Sequence, residues 1–226
     1  MAMLTIISLL LGAYLLGSFP TGYLVARALK GIDIRQYGSG STGATNVLRT
    51  VGKGPALLVF AVDLLKGTLA VLLIKGGVSV LANGWGVNDQ VLNLQPWLET
   101  TAGLLAMVGH SRSLWLGFSG GKSVATGLGM LLALAWPVAL AALGMFVLSL
   151  SLSRFVSLSS MLAAISTLVF MALTNQPLPY LILTIVGVSY IIFRHRSNIS
   201  RLLLGTEPRL GQSSSSSKPN IKSELG

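Results

Sequence analysis

Apolar residues run through the chain in six stretches, at about 3–29, 55–75, 97–110, 124–152, 156–174 and 178–193, separated by short segments of glycine, hydroxyl and basic residues. Most stretches are continuous rather than alternating, and at about 20 residues each matches one helical crossing of a bilayer. The stretch at 124–152 is too long for one crossing and carries Pro137 near its middle. Proline removes a helical N–H and restricts the residue before it, so two short helices with a tight turn at Trp136 and Pro137 are expected there. The pattern predicts an all-α integral membrane protein of about seven transmembrane helices.

Composition agrees, because hydrophobic residues make up 52% of the chain and charged residues only 10%, against roughly 25% charged in soluble domains. The opening MAMLTIISLLLGAYLLG has neither the basic start nor the small-residue cleavage site of a signal peptide, and reads as a retained first span. Arg27, Lys30 and Arg35 follow that span and nothing positive precedes it, which predicts an outside N-terminus and a cytoplasmic C-terminus. With seven spans, 14 of the 16 Lys and Arg lie on the inner face or tail, Lys75 lies outside and Lys66 lies within the second span. With a single span at 124–152, Arg194, Arg196, Arg201 and Arg209 would all fall outside. The segment 76–96, with Asn83, Gly84, Asn88 and Asp89, is polar but nearly free of positive charge, as an outer loop should be. Residues 1–211 then form a single transmembrane domain, and 212–226 a disordered polar tail.

The net charge of +10 does not indicate nucleic acid, because the basic residues lie between apolar runs and not on a water-exposed face. The absence of cysteine excludes disulfides, thiolate metal sites and a cysteine nucleophile, and two histidines give no basis for a zinc site. No inverted repeat or matched pair of broken helices is present, which disfavours a secondary transporter.

Polar chemistry gathers in three inner segments. The first, YGSGSTGATNVLRT from Tyr37 to Thr50, alternates glycines with Ser39, Ser41, Thr42, Thr45 and Asn46 and ends near Arg49. Such a loop either links helices flexibly or turns backbone N–H groups and hydroxyls onto one anion beside a guanidinium; its density favours the second. In the second, GHSRSLWLGFSGGKSVATGLG, Gly120, Gly121 and Lys122 stand just before an apolar helix, where free N–H groups and a lysine suit phosphate. It is not a nucleotide-binding P-loop, since Leu116 occupies the required first glycine position and no strand precedes it. The third, FRHRSNISRLLLGTEPRLG, groups Arg194, His195, Arg196, Asn198 and Arg201. Alone it reads as a basic flank for anionic head groups, but His195 and Asn198 would share a helix face, placing a proton donor or acceptor beside an amide suited to an oxyanion. Asp63 and Lys66, inside the second span, read first as a mutually neutralising pair that ties helices together. Gly127, Gly129 and Gly144 read as close helix contacts.

Together the segments GSGSTGATNVLR, HSRSLWLGFSGGKSVAT and RHRSNISRLLLGTE resemble, in order, the three motifs of the bacterial acyl-phosphate-dependent glycerol-3-phosphate acyltransferases, with the likeness running from the first span to about Gly211. The resemblance implies transfer of a fatty acyl group from acyl phosphate to the 1-hydroxyl of glycerol 3-phosphate, forming lysophosphatidic acid and inorganic phosphate in phospholipid synthesis. It implies a multi-pass protein of the bacterial inner membrane, monomeric among its membrane lipids, with its active site facing the cytoplasm and no metal or organic cofactor. By motif position, Ser39, Arg49, His195 and Asn198 fall on catalytic residues, and Thr45, Asn46, Gly120, Gly121 and Lys122 on substrate-binding ones. Glu207 falls on a glutamate that holds loops together, and Asp63 and Lys66 on a supporting pair. Ser41, Ser113 and Ser123 depart from the usual asparagine, proline and glycine, in a manner similar to cyanobacterial members. Neither histidine begins the H-x-x-x-x-D pair of other glycerolipid acyltransferases, because Trp115 and Ser200 stand at the fifth positions. Coenzyme A and acyl carrier protein are therefore disfavoured as donors.

Overall fold

The computed structural model describes residues 2–85 and 89–212. Its helices are α1 (Ala2–Ser18), α2 (Thr21–Lys30), α3 (Ala44–Thr50), α4 (Lys53–Trp85), α5 (Asp89–Ser111), α6 (Val124–Leu134), α7 (Trp136–Ser153), α8 (Val156–Leu173), α9 (Leu178–Arg194) and α10 (Arg196–Leu203). The described residues contain no strand beyond an isolated bridge between Ser113 and Ser119.

An apolar helix stands at each of the seven places the sequence predicts, although they differ in length. Ala2–Lys30, Lys53–Asn83, α7 and α8 are long and apolar enough to cross a membrane, and α9 with α10, bent by 55° at His195, adds a fifth if taken as one span. Within the 23 residues of α5 lie Asp89, Gln95 and Glu99, which lower its hydropathy. The 11 residues of α6 reach only about 16 Å, half a bilayer core.

The predicted turn falls where proline dictates. Ala135 leaves the helical region and Trp136–Pro137 opens α7, so the missing N–H of Pro137 costs no helical bond. Pro20 breaks the first stretch in the same way, separating α1 from α2. The expected outer loop at 76–96 is a correction. Helix α4 continues to Trp85 and α5 starts at Asp89, so most of that segment is helical. The predicted tail lies outside the described residues, apart from Gln212.

Lipid tails and leucine side chains are equally apolar, so helices in a membrane associate through close packing and polar contacts. Helices α4 and α6 show this. A Cβ on Gly129 would strike the backbone of Leu64, one on Gly67 would strike that of Thr126, and Thr68 donates to Gly129 O at 2.9 Å. Of the other two glycines expected at helix contacts, Gly127 makes only ordinary contact with Met107. Gly144 has open space where a side chain would go, so its expected role is corrected. Leu140, Val147, Leu148 and Leu152 lie exposed along α7, as lipid-facing residues would.

Candidate active site

The three polar segments meet at one end of the bundle. Asn46 organises the first. Its Nδ2 donates to Tyr37 O (3.0 Å), Ser41 O (2.8 Å) and Ile34 O (3.3 Å), and its Oδ1 accepts from Ser39 N (3.1 Å). A side chain so fully engaged with backbone shapes the loop, and Asn46 also lines the cavity beside Ser39 and Thr45. The folded loop turns Ser39, Thr45 and Arg49 toward a shared cavity. Arg49 is half-buried and donates to Pro208 O at 3.3 Å. Burial lowers its pKa, opposed by the charge of Glu207.

The second segment is clamped from both sides. Gly121 N donates to His110 O (3.1 Å), and Arg194 Nη2 donates to Gly121 O (2.9 Å). A Cβ at Gly121 would collide with the His110 ring, and one at Gly120 with the His110 carbonyl. These glycines therefore permit close approach to α5 and are not among the residues that line the cavity. Their packing delivers Lys122 into the cavity at the start of α6. Ser123 follows in a left-handed conformation (φ 63°), with its hydroxyl donating to Met107 O at 2.5 Å.

The third segment completes a connected network. Lys122 Nζ donates to Asn198 Oδ1 (2.5 Å), and Asn198 Nδ2 donates to Glu207 Oε1 (2.7 Å). Glu207 also accepts from Ser157 of α8 (2.7 Å) and from Arg201 (2.7 Å), tying α8 to α10. Burial would raise the Glu207 pKa, but hydrogen bonds from Ser157, Asn198 and Arg201 hold it below its ordinary value. Burial pulls Lys122 down to about 8, with Glu207 opposing and Arg201, Arg49 and Arg194 assisting. Burial likewise takes His195 down to about 4, so its imidazole is neutral at pH 7. Its Nδ1 donates to Ile191 O at 2.8 Å, because a carbonyl can only accept. Nε2 is then left with a lone pair.

The cavity, about 210 Å³, is lined by Ser39, Thr45, Arg49, Lys122, His195, Asn198 and Glu207 at its polar end. Beyond them it continues between α6, α7, α8 and α9 past apolar residues such as Leu131, Phe146, Ala164 and Val188. Asp63 reaches the cavity wall, whereas Lys66 turns away. Lys66 lies 2.7 Å from Asp63 and donates at 2.8 Å to Phe19 O, at the break between α1 and α2, which also accepts from Thr21 N. Of the partners of Glu207, Ser157 did not stand out in the sequence, and Arg201 read only as part of a basic group. A serine at a helix start and one more arginine in a basic segment carry no distinguishing pattern. His110 is likewise marked only by its place in the second motif.

The family model for Glycerol-3-phosphate acyltransferase matches residues 7–205. A Glycerol-3-phosphate acyltransferase of a Nostoc species is 54% identical over 208 residues, covering 91% of this chain and 92% of the relative. The crystal structure of PlsY (YgiH), an integral membrane glycerol 3-phosphate acyltransferase in its glycerol 3-phosphate form, superimposes with TM-score 0.78 at 39% identity, covering 91% of this chain and 96% of PlsY. Its lysophosphatidic acid form gives 0.76 at 39% identity, covering 91% of this chain and 95% of PlsY. With its three motifs drawn around one cavity in a membrane helix bundle, the chain belongs to the glycerol-3-phosphate acyltransferase family.

Proposed function

We propose that this enzyme takes the acyl group from acyl phosphate and places it on the 1-hydroxyl of sn-glycerol 3-phosphate, releasing lysophosphatidic acid and inorganic phosphate. One observation carries the reading: a cationic pocket of Arg49, Lys122 and the start of α6 opens directly into an apolar channel. Acyl phosphate has that shape, a dianionic head on a hydrocarbon chain. The related PlsY has been solved in glycerol 3-phosphate and lysophosphatidic acid forms, which match the acceptor and product. Charge placement supports a cytoplasmic active site in the bacterial inner membrane, seven crossings and an outside N-terminus. Residues 1–211 would act as one monomeric domain.

Acyl phosphate is an activated mixed anhydride, so the task is alignment and charge stabilisation. Arg49 and Lys122 hold phosphate oxygens. His195 Nε2 accepts a hydrogen bond from the attacking 1-hydroxyl and orients it. The hydroxyl oxygen bonds to the acyl carbon, and the remaining N–H of Asn198 donates to the oxyanion. The carbon–oxygen bond to phosphate then breaks, and the departing phosphate takes the hydroxyl proton. A histidine titrating near 4 suits this assignment, because it is too weak a base to keep the proton. Ser39 positions a phosphate and does not attack, while Glu207 fixes Asn198 for its task.

The test is phosphate release by purified protein given palmitoyl phosphate, with and without glycerol 3-phosphate, beside a palmitoyl-coenzyme A control. Release that depends on glycerol 3-phosphate, with lysophosphatidic acid formed, supports the proposal. Turnover of the coenzyme A ester alone, or a trapped acyl-serine, would sink it.

A further inference from the structure

On α8 and α9 the cavity reaches to a similar depth. On α9 its wall runs from His195 through Ile191, Val188 and Gly187 to Thr184, and on α8 from Ser157 to Thr167. These are 11 and 10 residues, or about 15 to 16 Å at the helical rise. On α7 the wall stops at Ala142, and on α6 at Leu131.

Within about a turn beyond these residues each helix presents a buried side chain that is not among those lining the cavity. Tyr180 on α9, Met171 on α8, Val138 on α7 and Leu134 on α6 are all buried and pack in one cluster. This floor is also pinned by polar contacts. The Tyr180 hydroxyl donates to Glu99 Oε2 at 2.6 Å, and buried Glu99 accepts from Gln95 at 2.8 Å and lies 3.7 Å from Lys75 Nζ. Freeing Tyr180 would leave a buried carboxylate short of a partner, so the floor resists displacement.

We infer that Tyr180, Met171, Val138 and Leu134 form a fixed floor that limits the acyl group this enzyme accepts to about 14 to 16 carbons. The inference rests on the acyl phosphate reading above. With C–C bonds near 1.5 Å, an extended chain advances about 1.25 Å per carbon. A depth of 15 to 16 Å below His195 thus takes about 12 or 13 carbons, and the carbonyl end lies above it among the polar groups. Each methylene given apolar space contributes about fourfold to binding, and each one without space forfeits that gain or strains the packing.

The experiment is kcat/KM for saturated acyl phosphates of 12, 14, 16, 18 and 20 carbons with purified full-length protein. Wild type should peak at 14 to 16 and fall about tenfold or more by 20. Two variants move the floor in opposite directions. Met171→Ala, which deepens the cavity, should raise the 18-to-14 ratio about tenfold, whereas Thr184→Leu, which raises the floor, should lower the 16-to-12 ratio by a similar factor. Neither residue lies among the polar groups assigned to chemistry. A profile flat from 14 to 20, or one unchanged in folded Thr184→Leu and Met171→Ala, overturns the length limit alone. No turnover with any acyl phosphate overturns the donor assignment and the limit with it.

Discussion

Replacing Lys122 with methionine should make the protein more stable as it makes it inactive. The lysine sits where burial lowers its pKa from 10.5 to about 8. At roughly 1.4 kcal/mol per unit, carrying the charge at pH 7 costs the fold about 3 kcal/mol. Methionine keeps the apolar stem and removes the charge, but gives up the hydrogen bond to Asn198, worth roughly 1 kcal/mol. The net gain is about 2 kcal/mol, or roughly 4 to 8 °C in Tm for a chain of this size.

The sign with pH follows from proton counting. Between pH 8 and 10.5 the unfolded chain still holds the Lys122 proton while the folded chain has lost it, so stability rises with pH across that window. Wild-type protein should therefore close its Tm gap to Lys122→Met as pH rises from 8 to 10.5. Over the same range kcat/KM for glycerol 3-phosphate should fall, because the free enzyme loses the ammonium that holds phosphate. Melting curves from tryptophan fluorescence in detergent, beside phosphate release at each pH, test both trends. A variant that melts below wild type at pH 7, or a gap that stays constant to pH 10.5, would refute the reasoning.

Arg49→Ala should reduce kcat/KM for glycerol 3-phosphate about a thousandfold with Tm within roughly 2 °C, and Arg49→Lys should recover little of it because a point charge lacks the planar fork; steady-state phosphate release separates the two. Asn46→Ala breaks contacts to Ile34, Tyr37, Ser39 and Ser41, so it should cost about 2 to 3 kcal/mol and raise KM more than it lowers kcat. Glu207→Ala strands Arg201, Asn198 and Ser157 together and should lower Tm by several degrees along with activity; unchanged melting would show that Glu207 does not join α8 to α10. Gly129→Val should disrupt the α4–α6 contact and prevent accumulation of folded protein, while Gly144→Val, facing open space, should be tolerated; equal yields on size-exclusion chromatography would contradict this.

What could be read from sequence was what depends on near neighbours. Pro137 places the α6–α7 turn by its own missing donor. The motifs also indicated which segments share a site, and Lys122, Asn198 and Glu207 do share a hydrogen-bond network. Roles set by partners distant in the chain were not legible. The close approach of Gly121 to His110 and the loop of 12 residues closed by the Asn46 amide carry no signal in the sequence. Gly144 and Gly129 are alike in sequence, yet only Gly129 has a helix crossing at its Cα.

The shortness of α6 links the fold to the chemistry. A helix of about 16 Å cannot span an apolar layer of about 30 Å, so both of its ends must be satisfied within the bundle. Lys75 donates to Ala133 O (2.8 Å) at the C-terminal end. The N-terminal end carries Lys122 and opens on the cavity. Helix N–H groups and an ammonium are thereby held below the bulk water, where an anion is attracted more strongly than at an exposed surface. The same helix supplies Leu131 to the apolar wall, so one short element addresses both ends of an amphiphilic substrate. A full-length α6 would lift Lys122 toward solvent and separate the phosphate site from the start of the channel. The low pKa of Lys122 is thus the stability cost of placing a positive charge at the polar end of an apolar cavity.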